Sequence, residues 1–197
     1  MKKNRSKKKK HKKKRKLFSF LSPRFFFSIP VMSLFSALFV LASDMYTKYW
    51  VHSYLPRMNH ESQWFPYNGI GIFENFLGVE FSIVHVTNRG AAWGILSDFQ
   101  VYLLFFRITF ILGLVVFLMF YNKNRLLLLP LTLVIVGAIG NILDYFIYGH
   151  VVDMLKFVFW GYDYPAFNLA DSSITIGICS AILISMLQQR KALREAS

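Results

Sequence analysis

Four long apolar runs, separated by polar and aromatic stretches, set the pattern of this chain. The first runs from Phe25 to Ala42 and extends to Trp50; the others occupy about 99–121, 126–143 and 171–187. Each approaches the roughly 20 residues that a helix needs to cross a hydrocarbon core. Between the first and second runs, His52 to Asp98 is too long to be a simple turn. Its second half alternates, with Val79, Phe81, Ile83 and His85 on one face and Glu80, Ser82, Val84 and Val86 on the other. That period of two predicts a strand, and Ile70 to Phe73 can pair with it across a turn near Asn75 to Gly78. Tyr145 to Ala170 reads as a second outer loop, with Trp160, Tyr162 and Tyr164 as interface aromatics. Gly137 and Gly140 in the third run let a neighbouring helix approach closely. The predicted fold is a mostly α membrane protein of four transmembrane helices with a small extracytoplasmic antiparallel β-sheet. No repeat and no second soluble domain is visible.

Charge changes this picture at one end only. The 197 residues are 55% hydrophobic and carry a formal net charge of +13, which by itself suggests nucleic acid. Lys2 to Lys16 hold 12 of the 23 Lys and Arg, leaving 11 basic against 10 acidic residues elsewhere. The chain therefore divides into a polybasic tail over 1–21, expected to be disordered, and a nearly neutral membrane domain over 22–197. Anionic lipid is the tail's expected partner. No nucleic-acid partner is expected, because aromatics are not interleaved at nucleotide spacing. The short connection around Asn122 to Arg125 and the end at Gln188 to Ser197 are basic, so both termini are expected in the cytoplasm. Val40-Leu41-Ala42 resembles the end of a cleavable signal peptide, a reading set against Asp44 and Lys48 just beyond. The single cysteine, Cys179, reads as a small buried packer within a span. The five histidines show no HExxH pattern or other metal-ligand spacing, so neither metal nor cofactor is expected.

Several polar residues lie where burial makes them costly. Asp153 follows the outer end of the third run and Asp171 opens the fourth from the same side. Two carboxylates a few ångströms apart share a proton, and such a pair can activate water and polarise a carbonyl. The plainer reading of Asp171 is a helix-capping acid. Asn141 and Asp144 share a helical face, and Asp44 and Lys48 are four residues apart; both pairs are candidates for site support or ordinary helix-surface pairs. Arg107 needs a carboxylate or carbonyl partner. Asn88 and Asn168 offer amides to a substrate backbone, or serve as structural turns. From these residues alone an ion-coupled transporter and a noncatalytic scaffold stay open beside a protease.

Read together, Asp44-Met45-Tyr46-Thr47-Lys48, Asn88-Arg89-Gly90-Ala91-Ala92-Trp93-Gly94, Gly140-Asn141-Ile142-Leu143-Asp144 with Gly149-His150-Val151-Val152-Asp153, and Phe167-Asn168-Leu169-Ala170-Asp171-Ser172 resemble the bacterial lipoprotein signal peptidase (signal peptidase II) family. The four motifs stand in that family's order over Ser43 to Gly177. The resemblance implies an intramembrane aspartic endopeptidase in the bacterial cytoplasmic (inner) membrane. It implies removal of signal peptides from lipid-modified prolipoproteins, by a cut before the lipidated cysteine and without metal. The chain is expected to act as a monomer. It places the catalytic pair on Asp153 and Asp171. By motif, Asn88, Asn141, Asp144 and Asn168 fall in supporting positions, with Asp44 and Lys48 in the first motif; Arg107, outside the motifs, is a further candidate for site support or substrate binding. Three positions depart from the pattern. Tyr145 stands where an arginine is usual, Met154 where phenylalanine is common, and Met45 where glutamine is usual. The first puts charge support near Asp144 in question.

Overall fold

The computed structural model describes residues 31–59, 64–90 and 97–196. The basic tail, the start of the first run, His60, Glu61 and residues 91–96, which include the end of the second motif, lie outside them. Among the described residues are helix α1 (Val31–Tyr54), strands β1 (Ile70–Phe76) and β2 (Val79–Asn88), and helix α2 (Gln100–Val116), which continues through a π-helical turn, Phe117–Tyr121. Then come α3 (Leu128–Tyr148), β3 (Val151–Phe159), β4 (Tyr162–Asp163) and α4 (Leu169–Ala196).

Among the described residues, three helical stretches are long and apolar enough to cross a membrane: Gln100–Tyr121, Arg125–Tyr148 and Leu169–Glu195. Their outward surfaces are greasy. Phe105, Phe106, Phe110 and Leu112 on α2 and Ile176, Ile182 and Leu183 on α4 are all exposed, as expected of a lipid-facing surface and not of a soluble one. Cys179 belongs to this outward surface and is exposed, which corrects its reading as a buried packer: one face of α4 meets α3, and Cys179 is on another. The third helix ends at Tyr148, five residues beyond the predicted Leu143, so Asp144 lies within it. Gly149, in the left-handed region at φ 76°, stops the helix as a C-terminal glycine does.

The sheet is antiparallel, in the order β1-β2-β3-β4. The first hairpin turns at Leu77-Gly78, both at positive φ, within the stretch the sequence marks for a turn. Strand β3 is the part that alternation does not announce. Val151, Val152, Asp153 and Met154 are consecutively buried, because both faces of its first half are covered, and its apolar run carries no period of two. The expected outer loop at 145–170 thus contains a central strand. A register shift between Ile83 and Val86 breaks the predicted two-face pattern of β2, so that adjacent Val84 and His85 are both buried. Strand β3 is then tied to the residues before α4: Met154 N and Leu155 N donate to Phe167 O at 3.0 and 2.8 Å, and Phe167 N donates to Leu155 O at 3.2 Å. This clamp sets Asp153 beside the N-terminus of α4.

Glycines let α3 approach its neighbours. A Cβ at Gly137 would overlap the Ala170 carbonyl oxygen, and one at Gly140 would lie 2.7 Å from Asp44 Oδ2. Backbone cannot yield as a flexible side chain does. Gly137→Ala is therefore expected to destabilise the protein by about 1–3 kcal/mol, as overpacking does, and thermal unfolding in detergent measures it. An unchanged midpoint would show that α3 and α4 separate freely.

Candidate active site

The N-terminus of α4 is held by a reciprocal cap. Asp171 N donates to Asn168 Oδ1 at 2.9 Å, and Asn168 N donates to Asp171 Oδ2 at 3.2 Å. This is the arrangement in which a capping side chain and an acid three residues on satisfy each other's backbone donors. A third free amide of that turn, Ala170 N, donates to Asp44 Oδ1 of α1 at 2.8 Å. Asp171 is thus a first-turn acid, as its plainer reading holds, and the cap also fixes where its carboxylate points.

Asp153 reaches the same place from β3. Its Oδ2 accepts from Asn88 Nδ2 at 3.0 Å, and its Oδ1 from Asn168 Nδ2 at 2.8 Å. One asparagine therefore touches both acids, through its backbone amide to Asp171 and its side chain to Asp153. Both carboxylates line a cavity of about 280 Å³ with Asn88, Arg107, Asn141 and Phe167. Burial raises the Asp153 carboxyl from its ordinary 3.8 to about 7, and the neighbouring Asp171 carboxylate pushes the same way. An acid held in this state keeps its proton near neutral pH.

A second layer lies behind the pair. Lys48 is fully buried and meets Asp44 Oδ2 at 2.7 Å and Asp144 Oδ2 at 2.8 Å. The Asp44 contact is an ion pair lying off hydrogen-bond alignment. Lys48 also donates to Asn141 Oδ1 at 3.0 Å, and Asn141 Nδ2 donates to Asp171 Oδ1 at 2.8 Å. The chain of contacts runs from the ion cluster to the acid through one amide. Asp144 Oδ2 further accepts from Val152 N at 3.3 Å, just before Asp153. Asp144 therefore has a cation in Lys48, which answers the question raised by Tyr145 in place of arginine. Met154 is 3% exposed and packs with Val51 and Val152 in an apolar cluster, so a thioether fills the place of the more usual ring.

The structure brings Asp153, Asp171, Asn88, Asn141, Asp144, Asn168, Asp44 and Lys48 into one continuous network. Arg107 lines the cavity but pairs with neither acid: its Nη2 donates to Gly90 O at 2.9 Å, the carbonyl alternative of its two expected partners. The amides of Asn88 and Asn168, read from sequence as substrate-facing, are given to Asp153. One grouping was missed. A ring nitrogen from each of His52, His85 and His150 lies within 4.8 Å of the others. They come from α1, β2 and the α3–β3 junction, so no local spacing reveals them. The traces in sequence are slight: His52 and His85 stand four and three residues from the motif positions Lys48 and Asn88, and His150 lies within the motif that ends at Asp153.

A family profile described as Signal peptidase (SPase) II matches residues 36–187. The Lipoprotein signal peptidase of Syntrophus aciditrophicus is 33% identical over 167 residues, 82% of this chain and 95% of that protein. The Lipoprotein signal peptidase of Staphylococcus carnosus is 42% identical over 110 residues, 53% of this chain and 67% of that one. Among solved structures, one described as a bacterial membrane enzyme determined by the in meso method at 2.3 Å is 31% identical. It superposes with a TM-score of 0.67 over 81% of this chain and 89% of its own.

Proposed function

The chain belongs to the signal peptidase II family, and from that premise we propose that Asp153 and Asp171 are its catalytic pair. It is a lipoprotein signal peptidase, a bacterial membrane protease of lipoprotein maturation that acts on prolipoproteins. The observation that carries the dyad is the shared asparagine: Asn168 donates to both carboxylates at the edge of one cavity. In the proposed mechanism the ionised partner takes a proton from a water in the cavity. That water attacks the scissile carbonyl while the protonated partner donates to the carbonyl oxygen; proton return to the leaving amine completes the cut. The roles belong to the pair and not to either residue.

The cut falls before a lipid-modified cysteine, and the acyl chains, remaining in the bilayer, hold the scissile bond at the depth of the acids. The signal peptide enters unwound, since a helix conceals its peptide bonds. Helix α1 completes a four-span bundle in the inner membrane, with both termini cytoplasmic and the sheet and cavity at the outer face. The membrane domain over 22–197 works as a monomer, and the tail over 1–21 rests on anionic lipid. Continuity of the first apolar run with α1 and the basic inner segments support this placement. Neither a metal nor a cofactor enters the step.

The test is cleavage of a lipid-modified prolipoprotein by the purified full chain in detergent, with the product's new N-terminus read by mass spectrometry. A product beginning at the lipidated cysteine is expected; a different cut site, or none by folded protein, would overturn the reading. Run across pH, the same assay should give a bell. Above about 7 the pair loses its shared proton and with it the acid, so rate falls; well below, the second carboxyl protonates and the base is lost. Stability has its own sign. Asp153 binds its proton more tightly folded than unfolded, so its contribution to stability falls as pH rises from about 4 through 7. Asp153→Asn should flatten that slope.

A further inference from the structure

Three histidines lie outside the catalytic network. His85 is 2% exposed and His150 5%, with His52 half-buried. Three of their ring nitrogens, His52 Nδ1, His85 Nε2 and His150 Nε2, are buried without a hydrogen-bond partner among the described residues. A buried polar atom without a partner is costly, and three on rings gathered this closely call for an explanation. His85 Nδ1 lies 3.0 Å from Leu55 O. Against a carbonyl it must be the donor, so the proton is on Nδ1 and the lone pair on the unpartnered Nε2. That backbone contact is how metal-ligating histidines are oriented and their tautomer fixed.

We propose that His52, His85 and His150 bind a single Zn2+-class divalent transition ion at the junction of bundle and sheet. Three imidazoles with an open fourth position for water suit Zn2+ and its borderline neighbours, and exclude the hard, oxygen-seeking Ca2+ and Mg2+. With metal–nitrogen bonds of about 2.0–2.1 Å, tetrahedral ligand atoms stand about 3.3 Å apart. The present spacing of up to 4.8 Å closes by side-chain rotation. Arg57 and Arg89 act electrostatically on His150; they oppose a bare cation and favour an anionic fourth ligand such as hydroxide. The consequence is mechanical. The ion would clasp α1, β2 and the start of β3, the three elements that carry Lys48, Asn88 and Asp153, and so hold the frame of the active site without touching substrate.

The experiment is titration of the full chain, purified without a histidine tag, with Co2+ followed by visible absorption, then displacement by Zn2+. One tetrahedral equivalent is expected. His85→Asn retains a side-chain donor for Leu55 O but removes the ligand atom, and should weaken Co2+ binding at least tenfold, as should His150→Ala. His11→Ala should leave binding intact. Zn2+ at about 100 times its Kd should raise the wild-type thermal midpoint by about 5–10 °C and leave His85→Asn unmoved. A wild-type measurement guards against variants that fail to fold: bound Zn2+ should protect His52, but not His11, from diethyl pyrocarbonate. No stoichiometric Co2+ spectrum in folded wild type, binding unchanged in His85→Asn and His150→Ala, or His52 labelling indifferent to Zn2+ would each overturn the site. All these readouts are independent of peptide cleavage.

Discussion

Asp153→Asn and Asp171→Asn are each expected to reduce prolipoprotein cleavage by about 10³-fold or more while leaving an inserted, folded protein. An amide fills the same space as the carboxylate but neither accepts a proton from water nor shares one with its partner. The folded state should survive because most of each acid's contacts have a counterpart in asparagine. In Asp153→Asn the single side-chain oxygen would still accept from one of Asn88 and Asn168, and the other donor would face an amide nitrogen. In Asp171→Asn one acceptor likewise remains for Asn141 or for the Asn168 amide, at the cost of weakening the cap by about 1 kcal/mol. The two variants should therefore lose a few degrees of thermal midpoint and nearly all turnover. Removing both acids together should cost hardly more than removing one, because the pair acts as a unit. Turnover above a hundredth of wild type in either single variant would break the dyad assignment. An additive double-variant loss would mean that the two acids act in separate steps.

How far the sequence carries towards this site depends on what each residue's neighbours in the chain reveal. The α2, α3 and α4 spans announce themselves because lipid demands continuous apolar faces, and the first hairpin because β2 alternates over most of its length. The motif acids stand out because each is costly where it lies. Strand β3 does not announce itself: its first half is buried on both sides, so Val151-Val152-Asp153-Met154 shows neither period. The wiring between motif residues is equally invisible. That Asn168 would give its side chain to Asp153, or that Asn141 would link Lys48 to Asp171, depends on the Phe167 clamp to β3 and on the close approach at Gly137 and Gly140. These are long-range facts of packing. The histidine cluster is the extreme case, assembled from three elements with no ligand spacing to mark it.

Lys48→Met should be the most destabilising single change in the buried network. The lysine is fully enclosed, with Asp44 and Asp144 both within 2.8 Å. Methionine of similar length would fill the space but leave two carboxylates facing each other without the cation. Removing one member of a buried ion cluster costs about 3–5 kcal/mol, because the charges left behind are uncompensated, whereas replacing the whole cluster by neutral groups is often tolerated. The two outcomes separate in one series. Lys48→Met alone should depress the thermal midpoint severely, and activity with it. Adding Asp44→Asn and Asp144→Asn to Lys48→Met should restore much of the stability. Activity should recover less, for a reason particular to this geometry. Asn141 Oδ1 takes its hydrogen bonds from Lys48 and Asn168, and that seating aims Asn141 Nδ2 at Asp171. Without the lysine that oxygen keeps only the Asn168 donor, so the amide is held less firmly and aims its own donor at the acid less well. The triple variant should thus melt closer to wild type yet show a lowered kcat with little change in KM. Full recovery of both would reduce Lys48 to a purely structural ion, and an unperturbed Lys48→Met would remove the cluster from any role in holding the helices together.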